Sequence, residues 1–184
     1  MRHYIKQNLL SPMRAVHLLF YKPQSDDHWV NHVVSAFSPP YSHCDIQFDD
    51  GIASSIYQNE TVYLQKKSFS RLNYKRVSLT FTDDESARIR EFCEKAHGSR
   101  VGFDLTGMIC SYLPWGSRKP PDKTFCSRYI AEALKHSGRS EYRSLESSRA
   151  TPSGLHNMLS SSNKSFIDVS EARMKRIVAP GNSP

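Results

Sequence analysis

The chain of 184 residues is of single-domain length, and its 38% hydrophobic and 11% aromatic content excludes wholesale disorder. Its formal charge of +7 is dispersed in small clusters such as Lys66-Lys67, Lys75-Arg76, Arg118-Lys119 and Arg173-Lys175-Arg176, so it names no partner by itself. No apolar run reaches membrane-spanning length and no signal-peptide pattern follows the first residues, so a cytoplasmic location with reduced thiols is expected.

Ala15 to Tyr21 reads as a buried strand, ended by Lys22-Pro23. Asp26-Asp27 then offers an N-cap for a helix over 27–37, with Trp29, Val33, Val34 and Phe37 as its apolar stripe, and Ser38-Pro39-Pro40 stops it. Two short strands flank Asp50-Gly51, a strong hairpin signal. Thr61 to Gln65 and Tyr74 to Phe81 add two more strands. Thr82 with Glu85 forms a capping box, opening a helix whose inward face is Ile89, Phe92, Cys93 and Ala96 and which closes at Gly98. A further helix near 104–112 precedes a loop from Pro114 to Asp122, and the next begins at Cys126 and ends at Gly138. Beyond it a Ser- and Arg-rich segment reads as surface loop and capping structure, with one short helix near 152–160 after Thr151-Pro152, in a position to cover a site, and a frayed tail over 179–184. The pattern is α+β: an antiparallel sheet of about five strands with helices packed on one side. One domain over 1–178 is expected, with its core at 15–137 and a C-terminal extension at 138–178.

Two segments carry chemistry. In Ser42-His43-Cys44-Asp45-Ile46-Gln47-Phe48-Asp49-Asp50-Gly51 a histidine stands at the start of a strand. In Thr124-Phe125-Cys126-Ser127-Arg128-Tyr129-Ile130 a cysteine stands at the first turn of a helix, where the positive end of the macrodipole favours thiolate over thiol. A histidine beside that thiol takes its proton and later returns it, the minimal apparatus of nucleophilic thiol catalysis. Cys44, Cys93 and Cys110 sit among apolar residues and read as plain buried thiols.

Together the segments "HCDIQFDDG" and, 83 residues after His43, "FCSRYIAEAL" resemble the circularly permuted NlpC-type papain-like cysteine hydrolases. In that branch, which includes the lecithin–retinol acyltransferase-like enzymes, the histidine strand precedes the cysteine helix. The resemblance spans roughly residues 15–137 and implies a permuted papain-like fold, with Cys126 as nucleophile and His43 as general base and acid. It places a third polar residue twelve positions after the histidine, at Ser55, with Ser54 and Gln58 nearby. A serine hydroxyl fixes the ring's tautomer but does not stabilise imidazolium as a carboxylate does. The backbone N–H of Cys126 and neighbouring amides at the helix start would hold the oxyanion.

The implied activity is hydrolysis of an amide, isopeptide or ester bond through an acyl-enzyme, on a protein, peptide or lipid substrate. Acyl transfer on lipids is the related alternative, and a catalytically inactive scaffold acting as a basic binding module is the alternative of another class. No cofactor is implied. The pairs His28/His32 and Cys93/His97, each four apart on a helix, supply two ligands apiece and do not make a metal site. Basic residues are not interleaved with aromatics, so no specific nucleic-acid binding is expected.

Overall fold

The computed structural model describes residues 12–114, 116, 118 and 120–161. In chain order the elements are β1 (Met13–Tyr21), α1 (Trp29–Phe37), β2 (His43–Phe48), β3 (Ile52–Ser55), β4 (Tyr63–Lys66), β5 (Tyr74–Thr82), α2 (Asp83–Gly98), β6 (Gly102–Phe103), α3 (Leu105–Cys110), β7 (Lys123–Thr124), α4 (Cys126–His136) and α5 (Ser140–Arg143). A 3-10 turn at Ser147–Arg149 and a helix α6 over 152–161 complete the described chain.

The five longer strands form one antiparallel sheet in the order β4-β3-β2-β1-β5. Strand periodicity explains its two faces. Val16, Leu18 and Phe20 of β1, Cys44, Ile46 and Phe48 of β2 and Val77, Leu79 and Phe81 of β5 all join one buried cluster with residues of α2 and α4. The residues alternating with them on β5 are exposed. The α+β architecture and the five-stranded sheet are as expected, as are the Asp50-Gly51 hairpin, where Gly51 takes φ +82°, and the capping box of α2.

Helix α4 is the hub. Cys126 to Ala131, Ala133 and Leu134 are buried along it. A buried ion pair anchors its first turn: Arg128 Nη1 meets Asp104 Oδ2 at 2.9 Å, and Asp104 also caps α3 through Gly107 N at 2.7 Å. Arg128 Nη2 donates to the Arg118 carbonyl at 2.8 Å, and the guanidinium lies 4.4 Å from the Phe125 ring centroid. The cysteine's backbone is thereby fixed to α3 and the loop after it.

Three sequence expectations change. The N-cap of α1 is His28 and not Asp26-Asp27, because Asp27 is engaged by the Tyr21 hydroxyl (2.8 Å) and the Gln24 amide (2.8 Å). The buried face of α1 is Val30 and Val34, while Trp29, Val33 and Phe37 are exposed. Cys110 is half-buried, not core.

The segment after Gly138 is more than surface loop. With Gly138 at φ +83° the chain turns so that Arg139 reaches Glu85 (2.7 Å), and Tyr142, Leu155 and Leu159 join the main core. Helix α6 packs beside the end of α1, where Ser153 donates to the Ser38 carbonyl at 2.6 Å, so it does not cover the cleft described below. The expected tail at 179–184 lies outside the described residues.

Candidate active site

The site forms where the start of β2 meets the start of α4. Cys126 opens α4, whose N-cap Phe125 makes no side-chain capping bond; the helix ladder begins only at Tyr129 N, bonded to the Phe125 carbonyl at 2.9 Å. The earlier first-turn amides are not used by that ladder. Across from it stand His43 and Cys44. His43 and Cys126 line the same cleft, and the ionisation of Cys126 responds to the His43 ring and to the thiol and backbone N–H of Cys44.

These contacts set the ionisation. The Cys44 bond is the strongest influence on Cys126; with the His43 charge and hydrogen bond it overcomes the cost of burial and holds the thiol well below its ordinary value. His43 shifts the other way, to about 10. Burial is the largest single influence on the ring and lowers it, but the charges of Asp45 and Cys126 together outweigh that. The two shifts run in opposite directions, and both favour a thiolate beside an imidazolium.

Asp45 is the group behind the histidine. Two residues along the same strand, it shares a face with His43, and its Oδ1 lies 3.3 Å from His43 Nε2. The approach lacks the alignment of a full hydrogen bond, so the attraction is chiefly electrostatic. The side chain is fully buried. It accepts a hydrogen bond from the Tyr63 hydroxyl and has Lys67 Nζ at 4.0 Å, while its Oδ2 finds no hydrogen-bond partner among the described residues. A buried carboxylate so placed costs several kcal/mol unless cations compensate it, so it favours a charged His43 ring.

An aromatic wall holds the assembly in plane. The His43 ring stacks on Tyr57 (centroids 4.3 Å apart, 18°), and Tyr57 is parallel to Tyr63 (5.8 Å, 8°). Lys67 bonds the Tyr57 hydroxyl at 2.5 Å and lies 4.5, 4.9 and 5.1 Å from the centroids of Tyr57, Tyr63 and Phe69. Burial, followed by the Asp45 charge, raises both Tyr57 and Tyr63, which therefore remain neutral donors.

The sulfur and the ring open into a cleft of about 270 Å³. Its apolar walls include Val30, Val34, Ile56 and Met108, and its polar lining includes Asn31, Gln58 and Asn59. Ser42 also lines it, with a buried hydroxyl lacking a partner among the described residues, so this Oγ can serve a bound group.

The structure brings Cys126 and His43 together. It corrects the third position. Ser55 is buried and donates its hydroxyl to the Cys44 carbonyl at 2.7 Å, so it supports the backbone of β2; the group at the His43 ring is Asp45. Ser54 bonds the Tyr63 carbonyl (2.7 Å) and the Tyr129 hydroxyl (2.6 Å), away from His43, while Gln58 lines the cleft. Cys44 is buried as expected, yet is not a plain core thiol, because its ionisation is coupled to Cys126.

Sequence reasoning passed over Asp45, although the period of two along β2 places it beside His43. Tyr57, Tyr63 and Lys67 had no such local signal, since the path from β3 into β4 brings them back. Of the two histidine pairs, His28 caps α1 and lines the cleft, while His97 Nδ1 lies 2.8 Å from the Val62 carbonyl. Among the described residues no helix is long and apolar enough to cross a membrane. Comparison with protein-family models, curated proteins and solved structures finds no match for this chain.

Proposed function

We propose that the protein is a cysteine hydrolase that cleaves an amide, isopeptide or ester bond through a covalent acyl-enzyme on Cys126. The observation that carries this reading is a thiolate paired with an imidazolium that is itself backed by a buried carboxylate, at the wall of a cleft. Structural cysteines do not need that arrangement. The histidine strand preceding the cysteine helix, with that helix packed on a five-stranded antiparallel sheet, also supports the permuted papain-like scaffold.

The chemistry follows from the positions. Cys126 Sγ attacks the substrate carbonyl; with Nε2 facing Asp45, Nδ1 of His43 is the nitrogen left for the sulfur and the leaving group. The ring donates its proton to the departing amine or alcohol, then deprotonates the water that hydrolyses the thioester. Asp45 keeps the ring oriented and charged until that donation, and the Tyr63 bond holds Asp45. First-turn amides of α4 face developing negative charge on the carbonyl oxygen.

The test uses an activated ester and an activated amide with the purified protein. Mass spectrometry should find an acyl group on Cys126, formed in a burst and removed by water, and His43→Ala should slow acylation by roughly 10²–10⁴-fold. Acylation spread over all four cysteines, or unchanged by His43→Ala, would overturn the reading.

A further inference from the structure

We infer that Cys126 is a reversible oxidation site, with Cys44 as its resolving thiol. This rests on the proposed nucleophile and adds a means of switching it off.

The argument begins with two free thiols from distant parts of the chain. Cys44 is fully buried and Cys126 is 6% exposed, and both belong to the same apolar cluster. Cys44 and Cys126 meet where α4 packs on β2 within that one buried cluster, and each thiol shifts the ionisation of the other, which places the two side chains beside each other. Neighbouring thiols are closed to most reagents by the protein around them, but Cys126 lines the cleft, which admits a small oxidant.

Their unequal reactivity gives an order of events. The thiolate is the form that peroxides attack, and the environment makes Cys126 that form while burial keeps Cys44 protonated. With hydrogen peroxide as oxidant, Cys126 S⁻ displaces hydroxide from the O–O bond and becomes Cys126–SOH; the proton held by His43 converts the hydroxide to water. Cys44 sulfur then attacks the sulfenic sulfur, the S–O bond breaks, and the Cys44 proton leaves with the oxygen as a second water. Two thiol groups supply the two electrons, and the peroxide is reduced to two waters. The new bond removes the nucleophile and ties β2 to α4, and an external dithiol restores both thiols. Without Cys44, sulfenic acid has no thiol beside it and proceeds to sulfinic acid, which dithiols do not reverse.

The test is peptide mapping of the folded full-length protein after brief exposure to hydrogen peroxide, run alongside alkylation of the untreated protein. The expected result is a Cys44–Cys126 linked peptide in the wild type, loss of Cys126 alkylation, and its full recovery with dithiothreitol. In Cys44→Ala, dimedone should capture Cys126 sulfenic acid and irreversible oxidation should rise roughly tenfold. Cys126 that alkylates quickly before treatment, yet passes to sulfinic acid in the wild type with no link to Cys44, would overturn this inference alone. Cys126 that alkylates no faster than Cys93 in the untreated protein would overturn the hydrolase reading and this inference together. The linked peptide is read in the wild type, so the outcome does not depend on whether Cys44→Ala folds.

Discussion

Two buried thiols face the same sheet from neighbouring helices, and their surroundings send them in opposite directions. Cys93, on α2, lies against Tyr129 and Ser54; burial pushes it up to about 11, and the two hydroxyl contacts only moderate that. Cys126, at the start of α4, is equally hidden but responds to Cys44 and to the His43 ring, and is held well below its ordinary value. Burial is thus common to both. What separates the two thiols is what meets the sulfur: the Cys44 contact first and then the charge of His43, which has Asp45 buried behind it.

The comparison can be broken from its strongest member downward. His43→Ala should erase it: at about pH 6.5, where an ordinary thiol is roughly 1% ionised, alkylation of Cys126 should fall about 10–100-fold and approach that of Cys93. Selective labelling that survives this change would mean the helix and Cys44 suffice. Asp45→Asn keeps the side chain's shape and removes its charge. The ring then loses its largest stabilising charge, so the alkaline limit of the ion pair, set by His43 at about 10, should move toward the ordinary histidine range. A pH profile of acylation reads this directly, and an unmoved limb would return the orienting role to another group.

Tyr63→Phe should have an intermediate effect. It removes one charge-assisted bond from Asp45, which costs about 1.5–3 kcal/mol, seen as a lower melting temperature with acylation slowed only several-fold. Ser55→Ala removes the bond to the Cys44 carbonyl, costs about 1 kcal/mol of stability, and should leave the pH profile of Cys126 in place. A shifted profile would restore Ser55 as the orienting residue. Least of all, Cys93→Ala should leave Cys126 labelling untouched, as measured by the same peptide map.

Much of the frame was legible because local rules agree with the tertiary structure. The alternation in β5, the Asp-Gly hairpin and the Thr82–Glu85 box each state their element within a few residues. Helix α1 failed for a local reason: with Trp29, Val30, Val33, Val34 and Phe37 all apolar, the pattern does not choose a face, and only packing against α3 selects Val30 and Val34. At the site, His43 and Cys126 stood out by position on their elements. Asp45 was equally readable from the strand period, but the next strand drew the assignment to Ser55. Tyr57, Tyr63 and Lys67 converge through long-range stacking that carries no sequence period. Arg128 lay inside the cysteine motif, yet its role as the anchor of that helix depends on Asp104, 24 residues earlier.

The claim that an ion pair makes the nucleophile is tested most directly by the pH dependence of alkylation of Cys126 and Cys93 in one sample of the wild-type protein. A coupled thiolate and imidazolium predict that Cys126 reacts at a nearly constant rate from mildly acidic to mildly alkaline pH, while Cys93 stays slow until the solution nears its own value of about 11. Two parallel curves, both rising only in alkaline solution, would contradict it.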